Sequence, residues 1–420
     1  MKKNLLALAF SLFLLLSLPP ALVWAQHTSG FSGLRTEQMS LYGYILHNLN
    51  LTQEDIGNVF YFRLKGDWNP GPNLFFHMEL ANDYRTGNQH PAYLPNLLSG
   101  AANETPSNIS AQLNLEIDHL WGLVNLEKMD IQFGRIPIAW GTGYAFNPTV
   151  KTHPVSFLDD LSEETPGTLG ILSGYALNDR TAVQLYLAFE DKMRTQRPTV
   201  GVWDHIPYGI KVQKIWGAFD LSFSWIKEVF YRPQADDFHR EYYLGGDFVG
   251  AVGDVGVYGE AVLNLPRNGD GRIDFSGHRT QDLLEYCVGG DYILTTADLT
   301  LRMEYYHQGR GVTKKTDYDL MKGLSTGQVL QAEDYLLVAL EKNFLNYYTF
   351  MFGSFINCND GSFILMPELN YNAADNLEVI LGSVVPHGEK GSEFNGTWDV
   401  GGRKVELLKP SIYVQAKLSF

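Results

Sequence analysis

The chain has 420 residues, with 47 acidic side chains against 32 basic ones and a formal net charge of −15. That balance argues against nucleic acid as a partner, because a phosphate backbone calls for a basic face. The only two cysteines, Cys287 and Cys358, are too few for a disulfide scaffold, and the plainer expectation is that they stay unpaired.

Met1-Lys2-Lys3 followed by the apolar Leu5–Leu18 reads as the charged start and hydrophobic centre of a secretory signal. Val23-Trp24-Ala25 puts small residues where a signal peptidase cuts, so a signal peptide is expected over 1–25 and a mature chain from Gln26. Removal of Lys2 and Lys3 makes the remainder more acidic. No Cys follows the cut, which argues against a lipid anchor, and no later run approaches the roughly 20 apolar residues of a membrane helix. An exported chain of this kind is a soluble protein or a barrel.

The remainder alternates with a period of two, the signature of strands. Leu41–Leu49 is a Tyr-rich first strand, expected to close against the last. In the second, Phe60, Phe62, Leu64 and Trp68 alternate with Tyr61, Arg63, Lys65 and Asp67. Asn69-Pro-Gly-Pro72 is a tight turn. The third strand sets Leu74, Phe76, Met78 and Leu80 against Phe75, His77, Glu79 and Asp83. After the polar stretch Gly87–Ser110, Leu113, Leu115 and Ile117 oppose Asn114, Glu116 and Asp118. Met129–Trp140 is the fifth strand, Leu169–Ala176 the sixth, and Val183, Leu185, Leu187 and Phe189 mark the seventh.

One such strand fits a soluble sandwich as well as a barrel; the connections decide. Short turns near Trp216–Ala218, Gly253–Val255, Thr295–Ala297, Asn343–Asn346 and Ala373–Asn376 alternate with longer ones at Lys192–Asp204, Arg232–Phe238, Pro266–Gln281, Gly309–Glu333 and His387–Lys404. Asn357–Gly361 is a short exception in a long slot. Short turns on one rim and long loops on the other describe a transmembrane barrel. The expected fold is all-β, one antiparallel up-and-down transmembrane barrel over 26–420, with about eighteen strands and sixteen as the nearest alternative.

At the far end, Ile412, Val414, Ala416, Leu418 and Phe420 fall on one face, and Ser411, Tyr413, Gln415, Lys417 and Ser419 on the other. This strand resembles the last strand of bacterial outer-membrane barrels, whose final Phe is read by the insertion machinery. The resemblance implies the outer membrane as location, with lipid and that machinery as partners. A second stretch, Phe133-Gly-Arg-Ile-Pro-Ile-Ala-Trp-Gly-Thr-Gly-Tyr-Ala-Phe-Asn-Pro-Thr149, resembles a G-R-x-x-x-x-W-G…N-P-T segment of large porin-like barrels that include the alginate-export-like proteins. Gly134, Arg135, Trp140, Gly141, Asn147, Pro148 and Thr149 match; Val150 stands where many relatives have Asp.

Met129, Ile131 and Phe133 share a face that would send Arg135 into lipid. A charge there costs about 2–4 kcal/mol at mid-depth, so a bulge at Gly134 is expected to return Arg135 to the lumen; the alternative is a position close enough to the rim for the side chain to reach water. Thr142–Thr165 mixes Pro148, Phe157 and Leu158 with Asp159, Asp160, Glu163 and Glu164. It is expected to fold inward and narrow the pore, its acids facing Arg63, Lys65, Lys211 and Arg302.

An internal repeat, Tyr243-Leu-Gly-Gly-Asp247-Phe and Cys287-Val-Gly-Gly-Asp291-Tyr, is followed thirteen residues beyond each Asp by Glu260 and Glu304. By alternation all four acids face away from lipid. Arg63, Lys65, Arg135, Asp159, Asp160, Lys211, Asp247, Glu260, Asp291, Arg302 and Glu304 are therefore the candidate pore-lining residues. The inward phase as a whole is mainly acidic, since Asp67, Glu79, Glu116, Asp118, Asp130, Glu190 and Glu368 join Asp247, Glu260, Asp291 and Glu304 against Arg63, Lys65, Arg135, Lys211, Arg302 and Lys417, which argues for cations or neutral solutes rather than an anionic polymer. Tyr61, Tyr186, Tyr243, Tyr258 and Tyr306 would suit sugar stacking in an alternative, polysaccharide-handling barrel. The histidines are scattered without metal spacing, and no nucleophile has an acid–His partner in sequence, so neither cofactor nor catalysis is expected. A further copy of the chain is a candidate partner.

Overall fold

The computed structural model describes residues 36–53, 55–87, 112–152, 165–191, 203–232, 236–319, 330–394, 397–400, 403–406 and 408–420. The expected signal segment 1–25 lies outside these residues, as do Asp159 and Asp160.

The strands are β1 (Met39–Thr52), β2 (Ile56–Gly71), β3 (Leu74–Thr86), β4 (Gln112–Asn125), β5 (Met129–Pro137), β6 (Gly167–Asn178), β7 (Thr181–Ala188), β8 (Tyr208–Trp216), β9 (Phe219–Arg232), β10 (Asp237–Val252), β11 (Val255–Asn264), β12 (Leu284–Leu294), β13 (Leu299–Gln308), β14 (Asp334–Phe344), β15 (Tyr348–Asn357), β16 (Phe363–Ala374), β17 (Leu377–His387), β18 (Thr397–Val400), β19 (Arg403–Glu406) and β20 (Ser411–Ser419). Eighteen of them form one antiparallel sheet in which each strand pairs with its neighbour in sequence, and β1 pairs with β20 to close the cylinder. β18 and β19 make a separate hairpin within the last connection. Phe420 extends the closing seam, exchanging both backbone hydrogen bonds with Gly43 at 2.9–3.0 Å.

The alternation in sequence becomes two surfaces of opposite character. Leu115, Phe223 and Met303 point outward and are 70%, 57% and 55% exposed, while the charged Arg63, Lys211 and Glu304 are buried inside. A soluble sandwich would reverse that arrangement; hydrocarbon outside and polar groups inside is how a membrane barrel satisfies its side chains. Trp68, Tyr175, Trp216, Tyr292, Tyr348 and Tyr371 are exposed aromatics at the turn ends of their strands, forming a girdle on the short-turn rim. Aromatic rings belong at that depth because one edge is apolar and the other tolerates water.

Three local readings of the sequence are corrected. First, β5 ends at Pro137 instead of Trp140, because Pro offers no N–H to the ladder and the chain then leaves the wall. Second, no bulge occurs at Gly134. The β4–β5 and β5–β6 registers run through it without a shift, and Gly134 absorbs the local distortion with a φ of +117°. Arg135 therefore keeps the phase of Phe133, beside the outward Leu120 and Leu169, and its guanidinium runs along the rim to Glu116 and Glu190 at 3.2–3.3 Å. Third, β9 and β10 pair as far as Arg232 and Asp237, so the strands take up both ends of the longer connection expected over Arg232–Phe238. A bulge does lie in β4: Glu79 pairs with His119 and Leu80 with Ile117, leaving Asp118 extra, so Asp118 and His119 both turn inward.

Candidate functional site

The chain leaves β5 and crosses the lumen. Ile136, Ile138 and Trp140 pack with Tyr186 of β7, Ile226 of β9, Tyr243 of β10 and Val262 of β11. The Trp140 ring meets Tyr186 edge-on at 4.8 Å. Beyond Trp140 the backbone reaches the opposite wall, where two inward carboxylates hold it.

Glu260 of β11 accepts hydrogen bonds from the backbone N–H groups of Thr142 at 3.2 Å, Gly143 at 3.0 Å and Thr149 at 2.9 Å, and from the Thr149 hydroxyl. Asn147, assigned with its amide nitrogen toward Glu260, donates to Oε1 and to the Gly143 carbonyl at 3.1 Å. Glu304 of β13 accepts from the N–H groups of Tyr144, Ala145 and Phe146 at 2.6, 3.1 and 2.8 Å. A curled segment with no strand or helix leaves its N–H groups unpaired, and burying them without acceptors would cost about 1–3 kcal/mol each. The two carboxylates supply those acceptors. The fold back on itself is tight: a Cβ on Gly143 would lie 1.8 Å from the Phe146 carbonyl oxygen, so only glycine fits.

Side chains finish the docking. Phe146 packs among Tyr306, Tyr335 and Phe355. Arg302 lies 3.9 Å over the Tyr144 ring, and Lys151 reaches Glu285 at 2.9 Å on the return path. The Thr149 hydroxyl, whose one proton is shared between the Glu260 carboxylate and the Trp140 carbonyl, lies 2.6 Å from that carbonyl oxygen at the neck of the loop. Every matched residue from Trp140 to Thr149 thus belongs to one element, an internal loop spanning from β5 to β13.

The remaining candidates fall into separate groups on the inner wall. Arg63 is 2% exposed and bonds Glu79, Asp118 and the Tyr61 hydroxyl at 2.7–3.1 Å. Lys65 lies 3.2 Å from Glu79. Lys211 pairs with Asp247 at 2.8 Å, and the Ser222 hydroxyl donates to the same Asp247 carboxylate. Asp291 faces Arg302 directly across β12 and β13. Glu260 and Glu304 point inward as their phase requires, but the loop covers them: they are 3% and 0% exposed, and they meet its N–H groups instead of a passing solute. The two repeat units differ by their turns. Asp247 pairs with Glu260, whereas Asp291 pairs with Arg302 and Glu304 with Gly289. Cys287 and Cys358 are both free, and the Cys287 thiol donates to the Phe146 carbonyl at 3.2 Å.

A second inward piece lies near the long-loop rim. Glu393, in the connection after β17, accepts from the Tyr335 hydroxyl at 2.7 Å, the Asn357 amide at 2.7 Å and the Gln331 N–H at 2.6 Å. Phe394 beside it packs on Tyr335 and Phe355. Burial in this apolar surround raises the Glu393 carboxyl to about 7. Sequence gave no sign of this contact, because the connection reads as a polar loop.

No family model and no curated protein matches the chain. Solved structures do overlap with it. A mutant of the Rhodopseudomonas blastica porin is 13% identical, covers 91% of this chain and 100% of its own, and has a TM-score of 0.43. Pseudomonas aeruginosa OccK7 and OccK5 are each 9% identical over 91% of this chain and 98% of theirs, with TM-scores of 0.45 and 0.49.

Proposed function

We propose that the protein is a bacterial outer-membrane channel for passive passage of small solutes, with a preference for cations or neutral molecules. The observation that carries the reading is the loop 138–152, fixed across the interior of a closed barrel by Glu260 and Glu304. A loop secured at both walls narrows a lumen to a defined cross-section, which is what a selective diffusion path needs. Cation preference rests on the field of those two carboxylates, which acts on the lumen without contact because their hydrogen bonds come from neutral N–H and hydroxyl groups, while Asp247 meets Lys211 and Glu79 meets Arg63. The link to alginate-export-like proteins is carried by the matched motif residues alone.

The polysaccharide-handling alternative gains nothing from the tyrosines named for it. Tyr61, Tyr186, Tyr243, Tyr258 and Tyr306 are all buried; Tyr306 lies under Phe146 and Tyr186 against Trp140. Recording from purified protein in planar bilayers tests the proposal. Steady unitary conductance, with a reversal potential toward the cation value under a salt gradient, is the expected result. Electrical silence of correctly inserted barrels would overturn it.

A further inference from the structure

The inner wall of β2, β3 and β4 carries a second convergence of side chains, apart from the loop anchors. His77 and Glu79 are two residues apart on β3, so both point inward. The β4 bulge brings His119 to the same place. Glu79 Oε1 lies 2.8 Å from His77 Nε2 and 3.2 Å from His119 Nδ1, and the three atoms fall within 4.8 Å of one another.

The outer ring nitrogens are already committed. His77 Nδ1 is 2.6 Å from Asp67 Oδ1, and His119 Nε2 is 2.9 Å from the Thr165 carbonyl oxygen. A carbonyl or an ionised carboxylate only accepts, so each of these nitrogens carries its proton. In neutral rings the inner nitrogens then bear lone pairs, and both aim at a carboxylate oxygen that also has only lone pairs to offer. Such a trio is satisfied either by a metal ion among the three atoms or by a further proton on each ring. An imidazole whose far N–H is held by an oxygen acceptor is also how metal-binding histidines are oriented. The His77 ring is further fixed by Trp121, 5.2 Å away.

We propose that His77, Glu79 and His119 form a divalent-metal site on the inner wall, with two imidazoles, one carboxylate and a fourth position open to water. Nitrogen donors select Zn²⁺, Ni²⁺ or Cu²⁺ over Mg²⁺ and Ca²⁺, and three protein ligands with an open position is an established zinc arrangement. Bonds of about 2.0–2.1 Å place tetrahedral donors about 3.3 Å apart; the two N···O spacings of 2.8 and 3.2 Å already lie near that value, and the two nitrogens, within 4.8 Å of each other, draw together on the ion. The surrounding side chains leave a net negative charge for a cation. Asp67, Glu79 and Asp118 outnumber Arg63 and Lys65 by one, and a divalent ion supplies the same charge as protons on both imidazoles. Lys65, 3.2 Å from Glu79 Oε1, gives up that contact when the ion takes the oxygen. Binding therefore moves a lumen cation, whether or not the barrel conducts.

The test is titration of Zn²⁺ into the tag-free, full-length protein in detergent at pH 7.5, followed by calorimetry. One ion per chain is expected, with affinity weakened at least tenfold in His77→Gln and lost in His77→Ala/His119→Ala, while both variants keep the heat-dependent gel shift of a folded barrel. Absence of stoichiometric binding, or unchanged binding in a folded double variant, overturns the site and leaves protons on the two imidazoles as the cation. If the double variant does not fold, X-ray absorption of Zn²⁺ on the native protein decides. Two imidazoles with oxygen support the site, and a shell of oxygens alone overturns it.

Discussion

Phe146, carried on the internal loop, lies flat on Tyr306 of the far wall, with ring centroids 4.2 Å apart and planes 5° from parallel. Both rings are almost fully buried, with Phe355 5.4 Å from Phe146 on its other flank. This contact is the apolar half of the anchor; the carboxylates are the polar half. Truncating a buried Phe costs about 3–5 kcal/mol. Phe146→Ala is expected to release the loop and leave the barrel intact, because the strand ladders do not involve residue 146. Limited proteolysis should cut between 138 and 152 at least tenfold faster, and unitary conductance should rise.

Glu304→Gln tests the polar half. The three N–H groups of Tyr144, Ala145 and Phe146 require an acceptor at each oxygen they face. An amide presents one acceptor oxygen and one N–H₂ group, so at least one buried donor is left facing a donor. That costs about 1–3 kcal/mol of loop docking. Glu260→Gln should act in the same direction, and since both hold one segment, the double variant should cost less than the sum of the single ones. Amide hydrogen exchange at Tyr144–Phe146 measures it: an exchange rate in Glu304→Gln equal to that of the parent protein would contradict the anchoring role.

The barrel was legible in the sequence because its information is local. Phe60, Phe62 and Leu64 against Tyr61, Arg63 and Lys65 states the two faces outright, and the alternation of turn lengths states the two rims. The inward course of 142–152 was legible as well, from apolar residues in a stretch that reads as needing something to pack on, while Phe157 and the acids of that stretch lie outside the described residues. What the sequence did not show is pairing between distant strands. Glu260 and Glu304 looked like free lumen charges, since nothing local says that the loop's own N–H groups would reach them. His119 looked like an isolated histidine, because its approach to Glu79 depends on an extra residue in β4 that strict alternation cannot reveal. Arg135 was read one step too locally: the wall ends shortly after it, so the charge reaches Glu116 and Glu190 at the rim without a bulge.

The Glu393 contact carries a pH dependence. Its carboxyl is held at about 7 in the docked state, against an ordinary value of 4.5 when the connection is released. The protonated form is the one the apolar pocket favours, so this contribution to docking is fully present below pH 4.5 and is lost as pH rises through about 7. The difference corresponds to about 3 kcal/mol. Hydrogen exchange at the Gln331 N–H should therefore be slower at pH 5.5 than at pH 8.5, after correction for intrinsic rates. Glu393→Gln keeps an acceptor for Tyr335 and should remove that difference. A pH dependence of equal size in the Gln variant would assign it to another group.

Arg63 was an inner-wall candidate by phase and Arg135 only through a bulge that is absent, and their surroundings predict opposite outcomes on removal. Arg63 is enclosed, and Arg63→Leu would leave Glu79 and Asp118 without the guanidinium that both contact at 2.8 Å. Breaking a buried charge network on one side costs about 3–5 kcal/mol, because the stranded carboxylates cannot regain water. Arg135 is 21% exposed, its partners Glu116 and Glu190 are 44% and 19% exposed, and both contacts exceed 3.1 Å. Screened pairs of this kind contribute about 0–1 kcal/mol, and a Leu at 135 would match the outward face it shares with Leu120 and Leu169. Urea unfolding in detergent micelles should show a large loss of stability for Arg63→Leu and a change within about 1 kcal/mol, of either sign, for Arg135→Leu. A severe loss in Arg135→Leu would mean that the rim contact between β4 and β6 holds the point where the internal loop departs. The charge at 135 would then serve the loop and not the wall.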